Sequence, residues 1–566
     1  MSARPRILLT RRWTAEVERH LAQHFDVTLM ERLRLQSPNL EGPLSFQISA
    51  RWVLGWLLGF KAFGLEAQVL TRGPYLQNGS HTNITIRWRT DVATDSQVRY
   101  GLELFNLCFT NADVASITDH VVTLTQLLPD TKYYYAVGSS ATNLAEADAG
   151  RFFVTAPCPG TVKNTRIWVL GDSGTTLPGQ IAVRDAYENF TGSRHTDLWL
   201  MLGDNAYDQG TDSEYQSAVF NIYTNLLGTS VLWPTLGNHD TAQATEFVDT
   251  YPYFDIFTLP KLGEAGGVAS GTEHYYSFNY ANLHFICLDS MTGGRYTNSP
   301  MYQWLTNDLA NVTCDWIIAY WHHPPYTKGS HDSDSEDELI EMRQVFLPVL
   351  EQGGVDLVLA GHSHVYERSY LLDRHYGFST TFNSAMKLDG GSGRESETGA
   401  YRKHLLNPLA HQGAVYVVAG SSGWVTGGTL DHPAMRVSLD QLGSLVLDLN
   451  GNRLDATFLR DTGETNDTFT ILKDSSAGPF PITAASVNAQ GHCTFTWASV
   501  GGQRYRVSYR DGNLAGPFTD LVRPLQAELD TAPARTAATQ NFTDDFTLTG
   551  GAPVGRARYF RVRIVP

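Results

Sequence analysis

The chain has 566 residues, a net charge of −16, 18% charged residues and 42% hydrophobic residues. This apolar content is enough for packed cores and excludes wholesale disorder, and at about 150 residues per domain the length predicts three or four domains. The negative charge argues against a nucleic-acid binder and an anionic-membrane binder, since both need a basic face. Five cysteines are too few for a disulfide scaffold.

Residues 6–31 predict a strand, a helix and a second strand. This short stretch resembles the opening βα unit of D-2-hydroxyacid dehydrogenases. No Gly-x-Gly-x-x-Gly turn after a strand follows in the sequence, so the dinucleotide site of that family is missing. We therefore do not expect a dehydrogenase.

Residues 53–65 form an apolar run that follows Arg51 and Trp52 and is followed by Ala67. A basic flank, a short apolar core and a small residue at the end are typical of a secretory signal peptide. The run is too short to span a bilayer, which takes about 20 apolar residues. A buried amphipathic helix is the alternative. We expect residues 1–67 to be a leader, cleaved near Ala67, of a secreted or periplasmic protein.

Residues 68–160 predict a small β-sandwich. Ile84, Ile86 and Trp88 alternate with polar residues, as in a half-buried strand. Residues 128–131, with the sequence LPDT, precede a run of tyrosines and resemble the turn of a fibronectin type III domain. No catalytic cluster is evident in this segment, so its expected role is structural.

Residues 161–475 predict an α/β domain, because apolar strands there alternate with helices. The strands at residues 167–170, 198–202, 316–320 and 355–359 each run into a polar loop. Near-continuous apolar strands are typical of sheets covered on both faces, and ligands bind beyond the carboxyl ends of such strands. Residues 476–566 return to alternating β patterns and predict a small C-terminal β-sandwich of unassigned role.

Five loops of the α/β segment carry metal-binding residue types. They read GDSG at 171–174, GDNAY at 203–207, GNHD at 237–240, WHHPP at 321–325 and GHSH at 361–364. Hard and borderline metal ions bind carboxylate, amide oxygen, phenolate and imidazole ligands. Two ions about 3.5–4 Å apart are best held by one bridging carboxylate and separate ligands for each ion. The loops therefore predict a dinuclear metal site.

The five loops, in this order, resemble the signature of metallophosphoesterases. The tyrosine three residues after the second aspartate resembles the purple acid phosphatase branch in particular. With the β-sandwich in front, the resemblance covers roughly residues 68–473. It implies a four-layer α/β domain, in which two sheets pack face to face and are flanked by helices.

The resemblance also implies a ligand set. The implied ligands of the first ion, Fe(III) in that family, are Asp172, Tyr207 and His364. The implied ligands of the second ion, which is Fe(II), Zn(II) or Mn(II), are Asn238, His322 and His362. Asp204 is the implied bridge between the ions. Only one of His322 and His323 need ligate, and we expect it to be His322.

Two further histidines are implied to face the substrate. His239 follows the Asn ligand and would grip the phosphate and help to protonate the leaving oxygen, while His331 would be a second substrate-facing group. The residue after His239 is often Glu in the family and is Asp240 here, which leaves the ligands unchanged.

The implied function is an exported acid phosphatase, an enzyme that cleaves phosphate monoesters by attack of metal-activated hydroxide. A phosphodiesterase or a nucleotide or phytate hydrolase at the same site is the alternative. A non-catalytic adhesion protein with an inert phosphatase domain is a third reading, against which the intact ligands argue. The expected partner is a small phosphoester, with no structural nucleic acid and no membrane in the mature form; the oligomeric state stays open.

Two cysteine pairs are candidates for disulfides if the protein is exported. Cys287 and Cys314 lie at or near strands that could neighbour each other, and Cys108 and Cys158 lie within the first sandwich segment. Core thiols fit the first pair equally well, and the odd count leaves at least one cysteine free or paired between chains.

Overall fold

The computed structural model describes residues 6–9, 26–29, 68–243, 251–404, 410–474, 482–500, 504–512, 518–521, 537–553 and 557–565. The apolar run at residues 53–65 and the expected cleavage point near Ala67 lie outside them. Strands β1 (Arg6–Leu9) and β2 (Asp26–Leu29) pair in parallel. In the part of the chain that the structure describes, no helix combines the length and the apolar character needed to cross a membrane.

The N-terminal β-domain contains six strands joined by hydrogen bonds: β3 (Leu70–Gln77), β4 (Ile84–Gly101), β5 (Phe109–Leu124), β6 (Lys132–Gly138), β7 (Asn143–Ala145) and β8 (Phe152–Val154). The long strand β4 organises the domain. It pairs with β3 near its start, with β6 near its end and with β5 along most of its length.

The prediction of a half-buried strand at residues 84–88 is wrong, because all five residues are buried. The apolar face, with Ile86 and Trp88, packs in the core. The other face carries Arg87, whose guanidinium donates to the hydroxyl of Thr258 at 3.1 Å and to the carbonyl of Asp255 at 2.5 Å. Those partners belong to the next domain, so the second face of β4 is buried by a contact between domains.

The described residues of the large domain form sixteen strands: β9 (Thr165–Leu170), β10 (Leu198–Met201), β11 (Val231–Pro234), β12 (Tyr276–Tyr280), β13 (Leu283–Cys287), β14 (Trp316–Trp321), β15 (Leu357–Ala360), β16 (Tyr366–Ser369), β17 (Leu371–Leu372), β18 (Lys387–Asp389), β19 (Tyr401–His404), β20 (Val415–Ala419), β21 (Met435–Leu439), β22 (Gly443–Asn450), β23 (Arg453–Arg460) and β24 (Thr465–Asp474). Two seven-stranded sheets contain most of them, in the orders β11-β10-β9-β22-β23-β24-β19 and β12-β13-β14-β15-β20-β16-β21, while β17 and β18 form a separate pair.

The helices of the described residues are α1 (Pro178–Thr191), α2 (Asp212–Tyr215), α3 (Thr224–Leu227), α4 (Pro252–Ile256), α5 (Pro300–Asn311), α6 (Asp337–Glu341) and α7 (Leu347–Gln352). Two π-helical turns, Gln216–Phe220 and Met342–Phe346, extend α2 and α6, and two 3-10 turns lie at Ser379–Thr381 and Ser384–Met386.

The two seven-stranded sheets share one hydrophobic core, since residues such as Trp168 and Leu200 of the first sheet and Phe285 and Tyr320 of the second belong to the same buried cluster. A second cluster joins the remaining face of the second sheet to α5 and α7. Strands β9, β14, β15 and β20 are buried along their whole length. This burial explains why their sequences are apolar throughout rather than alternating.

In the C-terminal module the part of the chain that the structure describes contains six strands: β25 (Ile482–Val487), β26 (Cys493–Val500), β27 (Arg504–Asp511), β28 (Thr519–Asp520), β29 (Ala537–Asp544) and β30 (Arg558–Val565). They make two three-stranded sheets, β25-β26-β29 and β28-β27-β30. Phe495, Trp497 and Phe542 of the first sheet pack in one cluster with Tyr505 and Val507 of the second.

All five cysteines are free thiols, so neither candidate disulfide is present. Cys287 and Cys314 are buried. The core-thiol alternative therefore describes this pair, and burial raises the pKa of each thiol to about 12.

A buried ion pair links the two large sheets. Arg368 on β16 donates to both carboxylate oxygens of Asp467 on β24, at 2.6 and 3.0 Å, and both side chains are fully buried. Asp467 also accepts from the hydroxyl of Tyr366 and from Arg394. The carboxylate is therefore fully partnered only while Arg368 is present.

We expect Arg368→Met to lower the free energy of unfolding by about 3–5 kcal/mol, because it leaves a buried carboxylate short of its main partner. Urea unfolding measures this value. Arg460→Met is the matched control, since the partner Glu464 is 67% exposed and such pairs contribute about 0–1 kcal/mol. Equal effects of the two substitutions would contradict a stabilising role for the Arg368 pair.

Candidate metal centre

Polar loops follow five buried strands and meet in one place. Strands β9, β10 and β11 lie side by side in parallel, and so do β14 and β15 in the second sheet. The carboxyl ends of parallel neighbours lie at the same edge of a sheet, where α/β proteins bind ligands. The residues predicted from the five loops are therefore brought together by the strand order itself.

The backbone is strained where these loops leave the strands. Asp172, Asp204 and His362 have φ values of 55°, 50° and 64°, in the left-handed region that side chains other than glycine seldom adopt. Such strain clusters at functional sites. Glycines let the loops approach one another, since a Cβ on Gly237 would lie 2.3 Å from Oδ1 of Asp204 and one on Gly361 would lie 2.5 Å from Oδ2 of Asp172.

The three side chains expected to bind the first ion converge. The hydroxyl of Tyr207 lies 3.3 Å from Oδ1 of Asp172 and 3.3 Å from Nε2 of His364. Nε2 of His364 lies 3.6 Å from the same carboxylate oxygen. Asp172 is fully buried and its second oxygen accepts from the backbone N–H of His362 at 2.7 Å. One carboxylate thus contacts the loops that follow β10 and β15.

The three side chains expected to bind the second ion converge more closely. Oδ1 of Asn238 lies 3.0 Å from Nε2 of His322 and 3.1 Å from Nδ1 of His362. The two imidazole nitrogens are 3.2 Å apart. His322 is buried, and its Nδ1 donates to the carbonyl of Leu202 at 2.9 Å. That bond places the lone pair of neutral His322 on Nε2, toward Asn238.

Asp204 lies between the two sets. Its Oδ1 accepts from the backbone N–H of His239 at 2.8 Å, and its Oδ2 lies 3.6 Å from Nε2 of His322. Ligand atoms of Asp204, Asp172 and His322 all lie within 4.8 Å of one another. Asp204 therefore has the position that a bridging carboxylate needs.

These residues fit a pair of cations by their chemistry. Around the second set, the carbonyl oxygen of Asn238 and a carboxylate oxygen of Asp204 face Nε2 of His322 and Nδ1 of His362. All four atoms are hydrogen-bond acceptors when these two nitrogens carry no proton. A cation is the partner that satisfies four converging acceptors. The first set adds a phenol oxygen, a carboxylate oxygen and an imidazole nitrogen, which suit a hard ion.

The electrostatics of the first set favour a cation as well. Burial, followed by the charges of Asp172 and Asp204, raises the pKa of Tyr207 well above its usual value. Burial also acts to raise the pKa of Asp172, but hydrogen bonding to His364 and the charge of His322 bring it below its usual value. Tyr207 thus becomes a phenolate only if a nearby positive charge offsets two carboxylates.

Asp240, which stands where the family often has Glu, connects two of the loops. Its buried carboxylate accepts from the backbone N–H groups of Asn205 at 3.2 Å and Gly237 at 2.8 Å, and from the hydroxyl of Tyr215. Burial and then the charge of Asp204 raise its pKa to about 7. The shorter side chain therefore still holds the loops after β10 and β11 together.

The two histidines expected to face substrate border the ligand sets and are partly exposed, each by 32%. Nδ1 of His239 lies 2.8 Å from the carbonyl of Asp208, so it donates and leaves Nε2 toward the site, 4.0 Å from Oδ2 of Asp204. The ring of His331 packs on that of His362, with centroids 3.8 Å apart.

His323 lies near the same centre, since it also has a nitrogen within 4.8 Å of nitrogens of His322 and His362. Its Nδ1 is 2.9 Å from the hydroxyl of Ser290, and burial together with neighbouring histidines lowers its pKa well below the usual value. The contact of His322 with Asn238 and Asp204 favours His322 as the ligand.

Sequence reasoning missed two residues of the site. Glu336 contacts both His331 and His362 through its carboxylate. Trp424 donates from its indole N–H to Nε2 of His364 at 3.3 Å, and its ring lies 5.6 Å from that of Tyr207. Trp424 follows the buried strand β20 through a loop that begins with glycine, as four of the five ligand loops do, and this signal could have revealed it.

Comparison with known proteins agrees with this geometry. Residues 165–366 match the family of calcineurin-like phosphoesterases, a range that contains all the expected ligands. Residues 165–366 are therefore a metallophosphoesterase domain. Residues 72–153 match the N-terminal domain of purple acid phosphatases. A purple acid phosphatase N-terminal domain directly before the phosphoesterase domain agrees with the resemblance of the loops.

Named relatives point to the same family. The chain is 30% identical over 261 residues to purple acid phosphatase 1 of Ipomoea batatas, covering 44% of this chain and 51% of the relative. It is 29% identical over 276 residues to a phosphoenolpyruvate phosphatase of Allium cepa, covering 46% and 53%. The chain thus spans about half the length of the curated relatives it matches.

Two solved structures share the fold. A purple acid phosphatase from yellow lupin (Lupinus luteus) seeds superposes with a TM-score of 0.54 at 18% identity, covering 71% of this chain and 74% of that one. PhoD superposes with a TM-score of 0.51 at 15% identity, covering 72% and 91%. At these identities the likeness concerns the fold alone.

Proposed function

We propose that this protein hydrolyses phosphate monoesters at a dinuclear metal centre. The observation that carries the proposal is the convergence of seven side chains from five strand-end loops into two sets that share Asp204. The proposed ligands of the first ion are Asp172, Tyr207 and His364. Those of the second are Asn238, His322 and His362.

Two cations in these positions, when bound, would neutralise the phosphate and lower the pKa of water towards about 7. The chain itself supplies the proton donors. The Asp208 carbonyl holds the proton of Nδ1 of His239, so the imidazolium form of His239 can pass the proton of Nε2 to the leaving oxygen and remain neutral with Nδ1 protonated. Glu336 fixes Nδ1 of His331 in the same way, at 2.9 Å.

A phosphodiesterase or a nucleotide or phytate hydrolase at the same centre is the alternative. The two partly exposed imidazoles favour the monoester, because a terminal phosphate presents more oxygens and more charge for N–H donors to contact than a diester does. An inert adhesion protein is disfavoured by the complete ligand set.

A substrate panel combined with metal analysis tests the proposal. Purified protein that holds two ions per chain should cleave phosphate monoesters faster than diesters, with an optimum on the acidic side. Faster cleavage of diesters would favour the alternative. No turnover of any ester by protein holding two ions would refute a hydrolase.

We propose iron as the first ion, on the basis of Tyr207. A phenolate bound to Fe(III) gives visible absorption, so iron-loaded protein should be coloured. We expect Tyr207→Phe to abolish the visible band while the second ion is retained, because the hydroxyl of Tyr207 lies against Asp172 and His364, the other two expected ligands of the first ion. Absorption spectroscopy and metal analysis check this. An active, colourless, iron-free protein would exclude the iron assignment.

We also propose the remaining architecture that the sequence predicts. The proposed domains are residues 68–160, a fibronectin type III-like sandwich; residues 161–475, a four-layer catalytic domain; and residues 476–566, a C-terminal sandwich. The shared core of the two large sheets supports the four-layer arrangement. We propose that residues 1–67 are an export leader. N-terminal sequencing of protein that is secreted or recovered from the periplasm tests this, and a mature N-terminus near Gln68 would support it.

A further inference from the structure

Glu336 is placed between two functional histidines. It precedes α6 and lies five residues after His331. Its Oε1 lies 2.9 Å from Nδ1 of His331, and its Oε2 lies 3.1 Å from Nε2 of His362. The backbone N–H of Asp332 donates to the same carboxylate at 3.3 Å. One half-buried carboxylate therefore contacts one side chain of each kind, an expected metal ligand and an expected proton donor.

The contact with His362 determines which of its nitrogens is available to a metal. A carboxylate accepts, so the imidazole nitrogen facing Glu336 carries the proton. That nitrogen is Nε2, which leaves the lone pair of neutral His362 on Nδ1. Nδ1 is the atom that faces Asn238 and His322, at 3.1 and 3.2 Å. Carboxylates that hold metal-binding histidines in this way fix the ring orientation and raise the ligand's basicity.

The contact with His331 has the same effect on the second histidine. Nδ1 of His331 is engaged by Glu336, so Nε2 is the nitrogen that can exchange a proton with substrate. The two rings pack with centroids 3.8 Å apart and 32° between their planes, so the same carboxylate holds two rings that are in contact with each other. Glu336 therefore restrains both rings as a unit.

We propose that Glu336 is a positioning residue that couples the binding of the second ion to the orientation of His331. This inference rests on the proposed function. It assigns Glu336 neither to the metal ligands nor to the groups that touch substrate. Its neighbours on α6 have different partners, because Glu338 and Glu341 pair with Arg295 instead.

The test compares Glu336→Ala and Glu336→Gln with wild type in metal binding and in kinetics. After removal of metal with a chelator, titration with Zn(II) should show two sites in wild type. We expect Glu336→Ala to weaken one of them about 10–100-fold, the range typical of such outer carboxylates, and to leave the other unchanged. Glu336→Gln has a side chain of similar shape and keeps one acceptor oxygen, so this variant should lose less Zn(II) affinity. It also provides a second measurement in case the alanine variant misfolds.

Kinetics at saturating metal separate the two roles of Glu336. In Glu336→Ala, kcat should fall by a larger factor than KM changes. The fall in kcat should be larger for alkyl phosphates than for aryl phosphates, because aryl leaving groups need less protonation. His331→Ala should reproduce this kinetic loss without weakening the metal. Glu338→Ala removes an acidic side chain two residues away and should change neither property.

Three results would overturn the positioning role. They are unchanged Zn(II) affinity at both sites in Glu336→Ala, equal losses in the Glu338→Ala control, and a zinc-bound structure with Glu336 directly on the ion. Failure of the proposed function is a separate outcome, because it shows in wild type as the absence of two ions or of ester hydrolysis.

Discussion

Asp204→Ala should release both metal ions and reduce hydrolysis by on the order of 10³-fold or more, since the two ions together supply several kcal/mol of transition-state stabilisation. Asp204 lies between the two sets, with Oδ2 3.6 Å from His322 and with its carboxylate near that of Asp172. If Asp204 is the bridge, as proposed, its removal deprives each ion of a ligand at once. Elemental analysis after gel filtration should find well below one ion per chain.

Asp172→Ala is the matched control for this prediction. It removes a buried carboxylate of the same site, but one whose Oδ1 contacts Tyr207 and His364 of the first set. We expect the second ion to remain in this variant and to be lost in Asp204→Ala. If Asp204→Ala keeps two ions, Asp204 does not bridge them.

Much of the ligand cluster could be predicted because its signals are local. An apolar strand followed by a glycine and a polar residue identifies the end of a buried strand, and parallel strands bring such ends together. Asp172 and Asp204 follow this pattern directly. Trp424 follows the same pattern after β20, but its side chain has no metal-binding atom, so the pattern of metal-binding residue types does not include it.

Other features depend on contacts between distant parts of the chain. Arg87 is polar, so the period of β4 predicts an exposed face, yet the guanidinium is buried against Thr258 and Asp255 of another domain. Glu336 lies in an acidic stretch that resembles a solvated surface, and only the fold brings it to His362. In both cases the contacting residues lie far away along the chain, and the local periodicity of the sequence does not predict such contacts.

The role of His239 gives the second large expected effect. Its side chain is oriented by the carbonyl of Asp208, and its Nε2 is 4.0 Å from Asp204, beyond hydrogen-bonding distance. The bond that His239 makes to Asp204 comes from its backbone N–H, at 2.8 Å. Truncation of the side chain therefore leaves this support of the bridging carboxylate in place, and metal content should be nearly unchanged.

His239→Ala should lower kcat for alkyl phosphates by about 10²–10⁴-fold, the usual contribution of a general acid. Aryl phosphates should lose less, because their leaving oxygens are stable without a proton. His411→Ala, at a histidine paired with Asp373 outside the ligand cluster, is the control for a loss of imidazole and should retain activity. Steady-state kinetics with both ester types, on samples of measured metal content, test whether His239 protonates the leaving group. Equal losses for the two ester types would show that His239 binds the phosphate without protonating the leaving group.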